Sequence, residues 1–219
     1  KGRCTMASMY SYELKLKKDG YAIIAGVDEA GRGAWAGPLV AGAVILARKL
    51  NRLRDSKILS PKRRELLARY IRQECDWGIG TVEVCDINQH GLAWANHHAM
   101  KRAIDALGSR PDHLLIDYLR LPPSLVSHTK QSSLVDGDTL SASIAAASII
   151  AKVTRDRLMV ALHQNNALLH PFAFHRNFGY GTRAHQSALA QYGPTKHHRL
   201  FYAPVAQSRQ TSIFADKNS

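Results

Sequence analysis

The sequence is poor in cysteine and has no long apolar segment, and each shortage excludes a class of protein. Its 219 residues include 3 cysteines, Cys4, Cys75 and Cys85, with no Cys-x-x-Cys pair. Such a sparse, odd set fits neither a disulfide framework nor a cysteine zinc site, so we expect reduced thiols. The longest apolar stretch, residues 39–47, contains a glycine and has the length of a strand, which excludes a membrane-spanning helix.

The chain also lacks internal repeats and low-complexity segments, which favours one domain. Its composition shifts only in residues 1–17 and 207–219, which are polar and which we expect to be tails. Residues 18–206 are expected to form the single domain. The first residues carry basic side chains without a following apolar core, which is not the pattern of a signal peptide. A cytoplasmic protein is therefore expected.

Positive charge is in clear excess. The sequence has 30 lysine and arginine residues against 17 acidic ones, a formal net charge of +13. A charge of this size gains most from a polyanionic partner, so nucleic acid is the first candidate. Residues 48–72 alone contain ten basic and two acidic side chains. That segment fits either a face that follows a phosphate backbone or a solvated amphipathic helix.

Apolar periodicity predicts strands alternating with helices. The predicted strands are residues 21–27, 37–46, 78–84 and 113–118. The predicted helices are residues 61–75, 88–107, 141–164 and 183–192. Small residues line one face of the third helix, which suits close packing on a sheet. The pattern predicts an α/β domain in which helices flank a mixed central sheet.

Two adjacent carboxylates, Asp28 and Glu29, come where the first buried strand is predicted to end. Neighbouring strand residues point to opposite faces, so the two can share one centre only if the chain bends there. Gly31 and Gly33 would permit that bend. A solvated acidic turn is the ordinary alternative. A dinucleotide-binding loop is disfavoured, because the glycine spacing departs from G-x-G-x-x-G.

Two more aspartates occupy comparable positions. Asp117 interrupts an apolar strand, and Asp138 comes just before the long helix. A strand-end residue facing water and a helix N-cap are the alternatives for these two. Four carboxylates at one end of a sheet would form an all-oxygen site suited to Mg²⁺ or Mn²⁺, and two such ions assist phosphodiester hydrolysis. Together with the basic charge, this set predicts a nuclease.

Six motifs in order resemble those of the ribonuclease HII family, the bacterial type 2 ribonucleases H. They are GVDEAGRG at 26–33, DSK at 55–57, LID at 115–117, GD at 137–138, SIAAASIIAKVTRDR at 143–157 and GYGT at 179–182. The resemblance implies the ribonuclease H-like fold with a C-terminal helical extension. It also implies a monomeric, metal-dependent endonuclease. Such an enzyme hydrolyses the RNA strand of RNA–DNA hybrids and incises 5′ of a single ribonucleotide in duplex DNA, leaving 3′-hydroxyl and 5′-phosphate ends.

The resemblance also assigns roles to individual residues. The catalytic carboxylates, which would hold two Mg²⁺ or Mn²⁺ ions, are Asp28, Glu29, Asp117 and Asp138. The substrate-binding residues are Gly31, Arg32, Gly33, Lys57 and Tyr180. In the family the glycine-rich turn senses the ribonucleotide 2′-hydroxyl, the tyrosine stacks on the sugar of the next deoxyribonucleotide, and the lysine contacts a phosphate.

The sequence departs from the family pattern at three places. Ala34 and Trp35 follow the glycine-rich turn, where proline and a small residue are common. Tyr118 replaces the usual glycine after the third aspartate, where it would crowd the site or stack near it. The ending HRLFY at 198–202 replaces His-Arg-x-Ser-Phe, so a serine contact is missing. Two other functions therefore stay open: a ribonuclease HIII-like enzyme without single-ribonucleotide incision, and a non-catalytic hybrid-binding protein.

Overall fold

A mixed five-stranded sheet forms the centre of the computed structural model, which describes residues 9–50, 53, 60–126 and 129–215, with side chains as far as residue 209. The strands are β1 (Ile24–Ala30), β2 (Leu39–Ile45), β3 (Asp76–Val82), β4 (His113–Asp117) and β5 (Lys130–Leu134). Their order is β3-β2-β1-β4-β5. β1 pairs antiparallel with β2 and parallel with β4. β2 and β3 are antiparallel, whereas β4 and β5 are parallel.

Helices cover both faces of this sheet, which confirms the predicted fold class. In the described ranges they are α1 (Ser11–Lys18), α2 (Pro61–Glu74), α3 (Val84–His90), α4 (Leu92–Asp105), α5 (Gly137–Leu140), α6 (Ala142–Gln164), α7 (Phe174–Asn177), α8 (Arg183–Tyr192) and α9 (Ala203–Ala215). A 3-10 helix, Ala167–Phe172, lies between α6 and α7. None of these helices is both long and apolar enough to cross a bilayer.

Glycines in the strands allow the helices to approach the sheet closely. A Cβ atom built on Gly26 of β1 would lie 2.0 Å from the backbone carbon of Ser143 in α6. On the opposite face, a Cβ built on Gly80 of β3 would lie 2.0 Å from the carbonyl oxygen of Ala99 in α4. The predicted packing of small α6 residues on the sheet is confirmed, since Ala146 and Ala147 are fully buried in that interface.

Two predicted elements were wrong in part. The helix predicted over 88–107 is broken into α3 and α4 by Gly91, whose φ of +84° favours glycine. Strand β5 at the sheet edge was not predicted either, because its sequence KQSSL is polar and only its last residue is buried. Edge strands bury little, so their apolar pattern is weak.

The predicted tails are also more ordered than expected. Helix α1 lies within the predicted tail 1–17, and it buries Glu13 and Leu16. The Glu13 carboxylate accepts hydrogen bonds from the hydroxyls of Ser141 and Ser143, at 2.6 and 2.8 Å. This buried contact fixes a helix whose own sequence is mostly polar. Helix α9 likewise enters the predicted tail 207–219.

We predict that Gly26→Ala destabilises the protein strongly. The added methyl group meets the α6 backbone, which cannot rotate away as a side chain can, so overpacking should cost about 1–3 kcal/mol. Urea unfolding monitored by circular dichroism measures this loss. Gly33→Ala is the matched control, because no atom lies within 4 Å of its added Cβ, and it should change stability by less than about 0.5 kcal/mol. Equal stability of the two variants would contradict the close approach.

Candidate active site

Strands β1 and β4 bring two of the predicted carboxylates to the same end of the sheet. They run parallel with Val27 paired to Ile116, and Asp28 and Asp117 are the next residues on each strand. Asp28 is 5% exposed. The Asp117 carboxylate accepts a hydrogen bond of 2.7 Å from the backbone N–H of Gly137. That bond places the start of α5, which includes Asp138, beside Asp117.

Asp28 and Glu29 lie in one uninterrupted strand. β1 continues to Ala30, so the strand does not end just before the carboxylates, as the sequence predicted, but includes both of them. Asp28 is hydrogen-bonded to Ser148 of α6, whereas Glu29 is hydrogen-bonded to Asn96 of α4 on the other face. The backbone N–H of Glu29 donates to Asp28 Oδ1 at 2.7 Å. The side chains of Asp28 and Glu29 therefore lie toward opposite faces of the sheet, and the hydrogen bond between the two residues comes from the Glu29 backbone.

Several carboxylates lie close together in a partly buried site, and this proximity changes their pKa values. Burial raises the pKa of Asp28 well above its ordinary value, and the nearby charges of Glu29 and Asp117 raise it further. Burial also raises the pKa of Glu29, although Arg32 opposes the rise. A divalent cation would favour the ionised forms, and an all-oxygen donor set is the one that Mg²⁺ and Mn²⁺ prefer. The donor chemistry thus fits the predicted ions.

The described side chains do not form a complete set of metal ligands in their present positions. In the described ranges, no group of three or more histidine, cysteine, aspartate or glutamate residues stands in an arrangement that could hold a metal ion. The donors are instead distributed around the ends of β1 and β4 and the start of α5.

Ser148 and Asn96 are site residues that the sequence reasoning missed. Both sit in helices rich in alanine, where a polar residue that becomes buried needs a partner. Asn96 is 3% exposed, and its Oδ1 atom has no hydrogen-bond partner. An isolated buried polar residue on a predicted sheet-facing helix is the signal that would have identified them.

Two fully buried arginines brace the glycine-rich turn. Arg199 donates to the carbonyl oxygens of Gly31 at 2.7 Å, Arg32 at 3.1 Å and Gly37 at 2.9 Å. Burial lowers its pKa to about 10, so it stays a cation at neutral pH. Arg155 of α6 donates to Ala36 at 3.1 Å and, on a different loop, to Phe178 at 2.9 Å. Their roles were also missed, although both lie within quoted motifs.

The turn and the loop that carries Tyr180 form one unit. The carbonyl oxygen of Gly179 accepts hydrogen bonds from the backbone N–H groups of Trp35 at 2.8 Å and Ala36 at 3.2 Å. A Cβ built on Gly181 would lie 2.2 Å from the Trp35 ring, so only glycine fits there. The Trp35 departure is thus accommodated by this glycine. Half-buried Tyr180 has cations from α6 beside its ring.

The front of the turn is open. Its Arg32 side chain is 50% exposed, lies 4.0 Å from the Glu29 carboxylate and faces the Tyr118 ring at 5.4 Å. No atom lies within 4 Å of a Cβ built on Gly33. Predicted residues Arg32, Gly33 and Glu29 are therefore brought together at an accessible surface. Lys57 lies outside the described residues.

Two buried histidines, His185 and His198, are hydrogen-bonded in series and hold the backbone of the Tyr180 loop. The Thr195 N–H donates to Nδ1 of His198 at 2.9 Å, and the Nε2 atoms of His198 and His185 are 3.0 Å apart. Nδ1 of His185 lies 3.0 Å from the Tyr180 carbonyl oxygen. One assignment satisfies every atom: neutral His198 donates to His185, and neutral His185 donates to Tyr180. Burial lowers the pKa of both rings, that of His198 to about 3.

Comparisons with known proteins agree on one family. The sequence model described as Ribonuclease HII matches residues 25–205. The Ribonuclease HII of Moorella thermoacetica is 49% identical over 195 residues, which cover 88% of this chain and 92% of the relative.

Solved structures share the fold. The ribonuclease H2 from Pyrococcus horikoshii OT3 superposes with a TM-score of 0.70 at 26% identity, covering 86% of this chain and 98% of that one. Bst-RNase HIII in complex with Mn²⁺ superposes with a TM-score of 0.65, over 90% of this chain and 71% of that one. At 18% identity, that second likeness supports the fold alone.

The histidine chain predicts that acid destabilises the protein. The pKa of His198 is lower in the folded state than in the unfolded state, so its contribution to stability is complete above about pH 6.5 and is lost as the pH falls toward 3. About 2 kcal/mol should be lost between pH 6.5 and 5. Urea unfolding at both pH values measures the loss. His198→Gln should be less stable at pH 7 yet lose less on acidification; parallel losses would contradict the neutral chain.

Proposed function

The chain belongs to the ribonuclease HII family, and from this membership we propose that it cuts hybrids with divalent metal ions and incises duplex DNA 5′ of single ribonucleotides. As a member it is a ribonuclease H endonuclease, a hydrolase active on RNA–DNA hybrids. The finer proposal concerns the metal ions and the single-ribonucleotide substrate. It is supported chiefly by the open glycine-rich turn that directly follows the buried carboxylates of β1.

We propose that Asp28, Asp117 and Asp138 hold the ions, with Glu29 completing the donor set. All four are oxygen donors at one end of the sheet, and the pKa of Asp28 is raised by burial first and then by the negative charges of Glu29 and Asp117. Bound divalent ions would supply positive charge that polarises the phosphodiester and facilitates ionisation of the attacking water. Ser148 orients Asp28 and Asn96 orients Glu29 through the hydrogen bonds described above.

The turn at residues 31–33 is suited to recognise a 2′-hydroxyl. Gly33 leaves the backbone accessible at one end of the turn, whereas Gly31 is buried against Arg155 at the other. A 2′-hydroxyl can donate to a carbonyl and accept from an N–H. Arg199 holds the carbonyls of Gly31 and Arg32 from inside the protein, so the turn does not need the substrate to order it. A preorganised turn loses little entropy on binding.

Tyr180 would test the deoxyribonucleotide that follows the ribonucleotide, on the same side of the cut. Its loop is hydrogen-bonded to the turn through Gly179, so the distance between the two recognition elements is fixed. A ring held at a set distance from a 2′-hydroxyl sensor can read a ribonucleotide followed by a deoxyribonucleotide. The net charge of +13 supplies the sequence-independent attraction to the backbone. We also propose that Lys57 contacts a phosphate and contributes to this attraction.

A DNA duplex with one ribonucleotide tests the proposal. With Mg²⁺ or Mn²⁺ we expect a single cut 5′ of the ribonucleotide that leaves 3′-hydroxyl and 5′-phosphate ends, because the turn recognises one 2′-hydroxyl at a time. Denaturing electrophoresis with end-labelled strands locates the cut, and EDTA is the control. Cutting of an all-RNA/DNA hybrid alone would favour a ribonuclease HIII-like activity. Binding without any cut would favour the non-catalytic alternative.

Asp138→Asn should abolish turnover and leave binding intact. The substitution removes one negative oxygen donor but keeps the size of the side chain, so we expect the cleavage rate to fall more than about 100-fold. Single-turnover cleavage and fluorescence anisotropy with the labelled hybrid measure the two effects. Asp136→Asn is the matched control, since exposed Asp136 has a φ of +54° that asparagine tolerates. Full activity of Asp138→Asn would remove Asp138 from the mechanism.

A further inference from the structure

Tyr118 combines a strained backbone with an exposed ring. It directly follows Asp117 and has a φ of +61°, in the left-handed region that disfavours bulky side chains. Its side chain is among the exposed large hydrophobic groups, at 60% exposure. A strained residue of this kind persists only when the surrounding structure imposes it, and such residues cluster at functional sites.

Strand β5 imposes the conformation. The Tyr118 N–H donates to the Leu134 carbonyl oxygen at 2.9 Å, and the Ser133 hydroxyl donates to the Tyr118 carbonyl oxygen at 2.7 Å. These bonds fix the backbone on both sides of the Cα atom. The ring itself is not needed for them, because any residue supplies the same backbone groups.

The ring gains little from the protein core. Its described contact is with Arg32, whose guanidinium carbon lies 5.4 Å from the ring centroid. The Arg32 side chain is also half exposed, and it approaches Glu29 at 4.0 Å. A cation–π pair between two exposed groups contributes little to folding. Burial therefore does not account for an aromatic residue at this strained position.

We propose that Tyr118 and Arg32 form a stacking platform that binds a nucleobase of the substrate beside the carboxylates. The inference rests on the proposed function and adds a specificity-determining residue to it. An exposed aromatic ring with a guanidinium against it binds unstacked bases, so the platform would take a base of the duplex that leaves its stack beside the carboxylates. Within the platform, Tyr118 is separate from the Tyr180 loop, because Tyr118 follows β4 and is held by β5.

Binding without cleavage tests the platform directly. With a labelled RNA–DNA hybrid in EDTA, Tyr118→Ala should bind about 10-fold more weakly, since stacking on one base typically contributes an effect of this size. Tyr118→Phe keeps the ring and should bind within about twofold of the unsubstituted protein. The salt dependence of the dissociation constant should not change, because the ring carries no charge.

A stability measurement separates the platform from a structural role. Tyr118→Gly relieves the left-handed strain, so its thermal unfolding temperature should be equal or higher while its hybrid binding is weaker. A structural residue would lose stability and binding together. Tyr192→Ala is the matched control, because Tyr192 on α8 is 57% exposed and should leave binding unchanged.

The outcomes are distinguishable from failure of the proposed function. If the unsubstituted protein cleaves its substrates but Tyr118→Ala binds the hybrid as tightly as the unsubstituted protein does, the proposed platform is wrong. The proposed function is then unaffected. If Tyr118→Phe binds as weakly as Tyr118→Ala, the hydroxyl rather than the ring is responsible, which also overturns stacking. If the unsubstituted protein neither binds nor cleaves either substrate, the proposed function fails and the platform with it.

Discussion

The close contact between α6 and the sheet is the constraint on which the other features depend. Glycine in β1 lets the helix backbone touch the strand, so each polar residue of α6 has a fixed height above the sheet. Ser143 thereby reaches α1, Ser148 reaches Asp28, and Arg155 reaches the glycine-rich turn. Further along, Met159 packs in the core of the C-terminal extension. One helix thus aligns the carboxylates, the turn and the extension.

The second feature is the use of backbone carbonyls as partners for buried cations. Burying an arginine is unfavourable unless its donors are satisfied, and carbonyl dipoles in loops are groups that otherwise lack partners. Arg155 and Arg199 meet both requirements, because each guanidinium donates hydrogen bonds to carbonyl oxygens of irregular backbone. The loops therefore hold their shape without regular secondary structure, and the proposed recognition of a single hydroxyl by the turn would require such a fixed shape.

The sequence predicted the parts of the fold that depend on local pattern. β1 and β2 are apolar runs, and α8 is capped by Thr182, whose hydroxyl accepts from His185 N–H. Polar β5 and buried α1 were missed because their order comes from partners distant in the chain. The carboxylates followed from motif resemblance, but the placement of Glu29 toward α4 did not, since it depends on where the strand stops. Ser148 and Asn96 acquire their roles only after the helices dock.

The Arg199 contacts have a consequence for synthesis on the ribosome. Arg199 and Gly31 are separated by 168 positions along the chain, yet their hydrogen bond fixes the turn. Domains begin to fold as the N-terminal part emerges, and contacts between distant residues form late. The strands that carry Asp28 and Asp117 can pair long before residue 199 is translated. A nascent chain would therefore carry its acidic residues before the turn is braced, and the turn would take its final shape only after residue 199 has been translated.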